Sequence, residues 1–159
     1  MDTVRFWRRS LKALHEVGAL GLGGGLAACL VINVAFRGGP SESFVAARES
    51  FDAIARLVLV PSLAAILLTG LLSIAATRGF HDAGWAWVKA LLGVSLFEAT
   101  LLTVGASRRK EDLLAATADP SLLANLLTAE RNTLLVLIGI CIANIVLAVW
   151  RPRMMITIR

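Results

Sequence analysis

Four ionisable side chains lie inside long apolar stretches of this 159-residue chain: His15, Glu16, Lys89 and Glu98. His15 and Lys89 are the two whose chemistry suits a cofactor. Ionisable groups are costly inside a membrane-spanning helix, so each is a candidate functional residue. An imidazole can bind a haem iron, and a lysine can be a second ligand or pair with the carboxylates of the cofactor. The pair predicts a haem or other redox-cofactor site, with His15 as the iron ligand and Lys89 as a cofactor-binding and catalytic residue.

Simpler interpretations of the same residues stay open. His15 would also suit a hydrogen bond between two helices, or titration at the membrane interface. Lys89 could extend its ammonium group to nearby lipid headgroups. His81 lies in the short segment before the stretch that carries Lys89 and is a competing cofactor ligand, although a histidine there is more often an ordinary loop residue.

The motifs of other chemistries are missing from the sequence. Its two histidines and two separated cysteines, Cys29 and Cys141, do not have the spacing of a closed zinc site. The glycine run at residues 23–25 lies within an apolar stretch and follows no strand, which argues against a nucleotide phosphate loop. The lack of methionine clusters and of paired histidines speaks against a copper-handling protein.

The elements that must position these residues follow from composition. The chain is 57% hydrophobic and 17% charged, with a mean hydropathy of +0.76, whereas soluble domains average about 25% charged residues. Four apolar stretches are of the length that crosses a bilayer, at residues 11–36, 57–77, 85–106 and 133–150. Backbone groups must be paired in lipid, so each span should be helical. We expect one all-α domain over residues 1–159, an integral-membrane, up-down bundle of four transmembrane helices.

Three further signals refine this bundle. Residues 44–56 have apolar side chains at helical spacing with charges between them, which predicts an amphipathic lead-in to the second span. Asp119 followed by Pro120 is a typical helix start, so the fourth helix should begin near Ser121. Gly21 and Gly25 form a small-xxx-small pair that allows another helix to approach closely. We expect the bundle to form a homo-oligomer through its glycine-lined helices.

The predicted topology places His15 and Lys89 at one level. Each lies about four residues inside its span, and the first and third helices of an up-down bundle run in the same direction. Both side chains should therefore lie roughly 6 Å below the same interface. Tryptophan favours that boundary because its ring is apolar and its N–H needs water. All four tryptophans fall at this end of the bundle: Trp7, Trp85, Trp87 and Trp150.

The basic residues bear on partners and location. The net charge of +5 comes from residues scattered at the edges of the apolar runs without forming a stripe, so the lipid bilayer is expected as a partner and nucleic acid is not. The two sides of the membrane carry nearly equal numbers of Lys and Arg, and the basic start and tail favour cytoplasmic termini. The first apolar run continues past Cys29 to Phe36, which favours an uncleaved helix over a signal peptide.

Short motifs follow one another along most of the chain: Lys12-Ala13-Leu14-His15, then Arg56, Pro61 and Gly70-Leu71, then Trp85-Ala86-Trp87-Val88-Lys89, then Arg131-Asn132 and Arg151-Pro152. In this order they resemble the HemJ-type group of small four-helix bacterial membrane proteins, the haem-linked protoporphyrinogen IX oxidases. The glycine-rich segment at residues 21–26 is closer to the uncharacterised relatives of that group.

The resemblance implies haem b as the cofactor and the bacterial inner membrane as the location. The residues tied to haem binding and activity in that group correspond to His15 and Lys89. The implied function is a haem-associated membrane redox protein that oxidises protoporphyrinogen or passes electrons to a membrane acceptor. The alternative is a non-catalytic accessory or assembly subunit of a larger membrane complex, in which both residues make only interhelical or lipid contacts.

Overall fold

The described part of the chain is built from helices. A computed structural model describes residues 2–36, 41–76, 84–103 and 112–150, and within these ranges no strand occurs. The helices are α1 (Asp2–Ala35), α2 (Glu42–Ile54), α3 (Val60–Ala75), α4 (Gly84–Thr103) and α5 (Pro120–Trp150). A π-helical segment (Ala55–Leu59) joins α2 to α3, and a 3₁₀ turn (Ala116–Ala118) precedes α5.

The second apolar stretch and its lead-in form one continuous helix from Glu42 to Ala75. At its start, the side chain of Ser41 accepts a hydrogen bond from the backbone N–H of Phe44. Pro61 lies in the first turn of α3 and has no N–H to donate to Leu57 four residues back. Just before Pro61 the helix changes from α-helical to π-helical hydrogen bonding, since the N–H of Val60 donates to the carbonyl of Ala55 five residues back. The predicted amphipathic lead-in is confirmed, and it is continuous with the span.

Three helices in the described ranges are long and apolar enough to cross a membrane: Arg5–Ala35, Glu42–Ala75 and Pro120–Trp150. This is consistent with a membrane protein. The fourth long helix, α4, has 20 residues and includes Lys89 and Glu98. The predicted helix start at Asp119 is confirmed, because its carboxylate accepts hydrogen bonds from the backbone N–H groups of Ser121 and Leu122.

The helices α1 and α3 pack closely in antiparallel register. A Cβ placed on Gly18 would lie 3.0 Å from a side-chain carbon of Ile66, and one placed on Gly25 would lie 2.6 Å from a side-chain carbon of Leu59. Gly21 faces Ser62 between these two contacts. Residues later in α1 thus contact residues earlier in the continuous helix Glu42–Ala75. The small-xxx-small pair serves packing within the chain, and formation of a homo-oligomer stays a prediction.

The remaining contacts connect the long helices in a cycle. α1 packs against α3 and α5, and α4 packs against both α3 and α5. The largest buried cluster lies where these helices meet and contains Leu22, Leu26, Cys29, Leu59, Leu63, Leu96, Leu134 and Leu137, with others. A smaller cluster joins Phe44 of α2 to Leu123 and Leu127 of α5. α2 is thus attached to the long helices through its own apolar face.

Candidate functional site

A cavity of about 800 Å³ lies among α1, α3, α4 and α5. It extends from the helix ends, marked by Arg8, Ala76, Trp85 and Val149, inward to the buried core. Most of its lining is apolar, and the charged or imidazole side chains that line it within the described ranges are Arg8, Lys12, His15, Glu16 and Lys89. A largely apolar pocket with a few convergent polar groups is the usual form of a small-molecule or cofactor site.

His15 is held in the cavity wall by a specific hydrogen bond. Its Nδ1 lies 2.9 Å from Oγ1 of Thr69 on α3. The Thr69 hydroxyl donates to the backbone carbonyl of Ala65 at 2.6 Å and lies 3.2 Å from that of Ile66. Because its single hydrogen is used there, Thr69 must accept from the imidazole, so Nδ1 carries the proton. In the neutral ring Nε2 then keeps its lone pair, as an iron ligand requires.

Lys89 lines the same cavity from α4 and is half-buried. His15 and Lys89 thus line one cavity from two helices, and their equal depth stays a prediction. His81, the competing ligand, lies outside the described residues. Thr69 was missed by sequence analysis, because a threonine in an apolar run carries no sign of its partner 54 residues away.

Small residues widen the cavity near the imidazole. A Cβ placed on Gly70 would lie 3.9 Å from Cε1 of His15, and one placed on Gly93 would lie 3.9 Å from a methyl group of Leu67. Both glycines line the cavity, as does Gly23, where a Cβ would meet no described atom within 4 Å. Their missing side chains enlarge the cavity, and the space at Gly70 lies directly beside the His15 imidazole.

The two cysteines have different surroundings. Cys29 is completely buried in the main core cluster. Cys141 is half-buried and lines the cavity, and neither forms a disulfide. Cys29 therefore acts as a small packing residue.

A second polar cluster is buried towards the opposite end of the long helices. Nη1 of Arg48 donates to Oε2 of Glu130 at 2.8 Å, and Nδ2 of Asn33 donates to the same oxygen at 2.6 Å. Asn33 also donates to the backbone carbonyl of Leu127. The three side chains come from α2, α5 and α1, so the cluster ties the amphipathic helix to two long helices.

The Arg48 guanidinium is almost completely removed from solvent. Its residue is 2% exposed, and Nε and Nη2 have no hydrogen-bond partner among the described residues. The guanidinium carbon lies 4.7 Å from the ring centre of Phe51 and 5.7 Å from that of Phe44. These aromatic faces offset part of the cost of desolvating the cation.

Sequence analysis missed this cluster, although a signal was present. Arg48 occupies a position in the buried stripe of α2, together with Phe44, Ala47 and Phe51. Glu130 similarly interrupts the stripe of α5, with Leu127 and Leu134 on either side. A charge at a buried-stripe position needs a partner. The sequence could not say which residue that partner is.

No family model, curated protein or solved structure matches the chain. The likeness to the HemJ-type group therefore rests on the short motifs alone. What the chain does has to be inferred from the cavity and its side chains.

Proposed function

We propose that the chain is a four-span membrane bundle that binds haem b in the cavity around His15 and acts as a membrane redox protein. The observation that carries the proposal is the His15–Thr69 hydrogen bond at a wall of an apolar cavity. It fixes the imidazole and leaves Nε2 as the nitrogen available to iron. Metal-bound histidines usually donate their other ring N–H in this way.

The residues present fit a haem in size and chemistry. The cavity volume of about 800 Å³ is within the range of cofactor sites. Leu63, Leu67 and Leu96 provide apolar walls, and Gly70 and Gly93 leave room for a planar ring. Three cations line the cavity and would be available to pair with the two carboxylates of such a cofactor: Arg8, Lys12 and Lys89. A bound haem would supply reversible one-electron transfer.

The side chains have separate tasks in this proposal. His15 binds the iron and Thr69 orients the imidazole. Lys89 contributes a positive charge at the cavity wall, where it would pair with cofactor carboxylates and stabilise negative charge on a reacting group. The leucine walls exclude water, which strengthens these electrostatic interactions.

The proposed reaction is protoporphyrinogen oxidation or electron transfer to an acceptor in the membrane. We place the protein in a bacterial inner membrane with cytoplasmic termini. An apolar cavity lined by α3 and α5, both predicted to lie in the bilayer, suits a cofactor or substrate that partitions into lipid. Lys89 is the residue we assign to catalysis.

The absorption spectrum of the protein, purified in detergent from haem-replete cells, tests the proposal. We expect a Soret band in the wild type and in His81→Ala, and its loss in His15→Ala. A folded but colourless wild-type protein would overturn haem binding and favour the accessory-subunit alternative. Retention of the full band in His15→Ala together with its loss in His81→Ala would reassign the ligand.

A further inference from the structure

We propose that Arg8 and Lys12 form a carboxylate-binding rim that makes the cavity selective for a planar macrocycle with two acidic groups at one edge. This inference rests on the proposed function, because it takes the ligand to be a tetrapyrrole. It goes further by naming residues that distinguish the acidic form of that ligand from a neutral one.

The first observation is the placement of the basic residues of α1. Arg8 and Lys12 are four residues apart, so they share one face of the helix, and both line the cavity. Arg5 and Arg9 are exposed on the same helix, and the described cavity lining does not include them. Attraction to lipid headgroups alone would not require the cavity-lining face to be basic.

The second observation is the order of groups along α1. Lys12 precedes His15 by three residues and Arg8 precedes it by seven, which gives axial separations of about 4.5 and about 10.5 Å. Beyond His15 the lining of α1 continues through Ala19, Leu22 and Gly23. A bound molecule would therefore place its apolar body beside and beyond the imidazole, and its acidic groups near the helix end.

The third observation is the charge of the cavity. Among the described residues, its charged lining consists of the cations Arg8, Lys12 and Lys89 and the anion Glu16, beside the imidazole of His15. With neutral His15 the net charge is +2, which complements a ligand with two carboxylates. Arg8 and Lys12 are both exposed.

Fluorescence titration of the detergent-solubilised protein with protoporphyrin IX and with its dimethyl ester tests the rim. The two probes have the same ring and differ in the two negative charges. Neither contains iron, so ligation by His15 does not contribute. We expect the wild type to bind the diacid about 10-fold more tightly than the diester, since charge-assisted contacts add to ring burial.

The double variant Arg8→Gln/Lys12→Gln should lower the affinity for the diacid about 10-fold and leave the diester affinity unchanged. The matched control Arg5→Gln/Arg9→Gln removes the same charge from the same helix and should change neither affinity. Repeating the titration with phosphatidylglycerol in the micelles tests whether the rim binds a lipid phosphate rather than the carboxylates of a macrocycle. Displacement of the diacid, but not of the diester, by this lipid would overturn the assignment to a macrocycle.

The remaining outcomes are also decisive. Equal affinities for diacid and diester in the wild type, unaffected by the double variant, would overturn the rim and leave the proposed function intact. Failure of the wild type to bind either porphyrin would overturn the rim, whereas the proposed function is overturned separately by a colourless protein in the Soret-band test. An equal loss of diacid affinity in the Arg5/Arg9 control would show a general charge effect and contradict the specific role of Arg8 and Lys12.

Discussion

The imidazole of His15 on α1 donates a hydrogen bond to Thr69 on α3, with Nδ1 and Oγ1 2.9 Å apart. The hydroxyl of Thr69 is itself a donor to the carbonyl of Ala65 at the preceding turn. These two hydrogen bonds in series give the imidazole ring a defined tautomer and orientation at a cavity wall. It also connects the two helices at the end that carries the cationic rim.

Replacing Thr69 by valine should weaken haem binding without abolishing it. Valine has almost the same shape but cannot accept from Nδ1, and loss of such a partner typically costs 10- to 100-fold in metal affinity. Thr69→Ser keeps the hydroxyl and should retain most of the affinity. Haem titration followed at the Soret band measures both variants, and equal affinities in Thr69→Val and the wild type would contradict the orienting role.

Removing one partner of the Arg48–Glu130 pair should strongly destabilise the fold. The Glu130→Leu variant leaves a buried guanidinium without its counter-ion, and such changes cost about 3–5 kcal/mol. The double variant Arg48→Met/Glu130→Leu removes both charges and should recover most of that free energy of unfolding. Denaturant unfolding in detergent micelles measures the three proteins.

The exposed ion pair between Arg56 and Asp52 is the matched control for this cycle. Nε of Arg56 lies 3.0 Å from Oδ1 of Asp52 one turn away, and the Arg56 side chain is 51% exposed. Surface pairs contribute about 0–1 kcal/mol, so Asp52→Asn should change the free energy of unfolding little. A double variant as unstable as Glu130→Leu alone would show that the packing of these residues, rather than their charges, holds α2 in place.

Alanine substitutions at two glycines of α1 should have opposite effects. A Cβ on Gly18 would lie 3.0 Å from Ile66 and 3.1 Å from the backbone oxygen of Ser62, so α1 and α3 would have to separate. Such overpacking typically costs about 1–3 kcal/mol. A Cβ on Gly24 would meet no described atom within 4 Å, and the better helix propensity of alanine should give up to about 1 kcal/mol of stabilisation. Thermal unfolding compares the two, and equal melting temperatures would contradict the close antiparallel packing.

The stability of the first turn of α5 should depend on pH through the ionisation of Asp119. The hydroxyl of Ser121, together with the N–H groups of Leu122 and Ser121, holds the pKa of the Asp119 carboxyl below its usual value. Because the folded-state pKa is lowered, the cap stabilises the helix fully above the usual aspartate pKa of about 3.9. Its contribution is lost as the pH falls through the lowered value.

A carboxyl-carbon NMR titration measures this pKa directly. Ser121→Ala should raise the pKa of Asp119 towards its usual value, since the strongest interaction that lowers it is removed. Ser121→Thr keeps a hydroxyl and should leave the pKa low. An unchanged pKa in Ser121→Ala would show that the backbone N–H groups are sufficient.

Much of the helical architecture could be predicted from the sequence. The apolar runs indicated long helices, the spacing of residues 44–56 indicated the amphipathic segment, and Asp119 with Pro120 indicated where α5 begins. These features are local, because backbone pairing in lipid and helix capping depend on residues close in the chain. The continuity of α2 with α3 was not predicted, because it depends on how the π-helical segment accommodates Pro61.

The sequence by itself determined which residues could carry chemistry, and it singled out His15 and Lys89, which line one cavity. Only the tertiary structure decided their partners. Thr69 lies 54 residues from His15 in the chain, and Glu130 lies 82 residues from Arg48. Such contacts depend on the rotation and register of packed helices, and the close approach at Gly18 and Gly25 is one contact that sets them. Periodicity along one helix contains no information about that register, so the polar partners became visible only once the helices were packed.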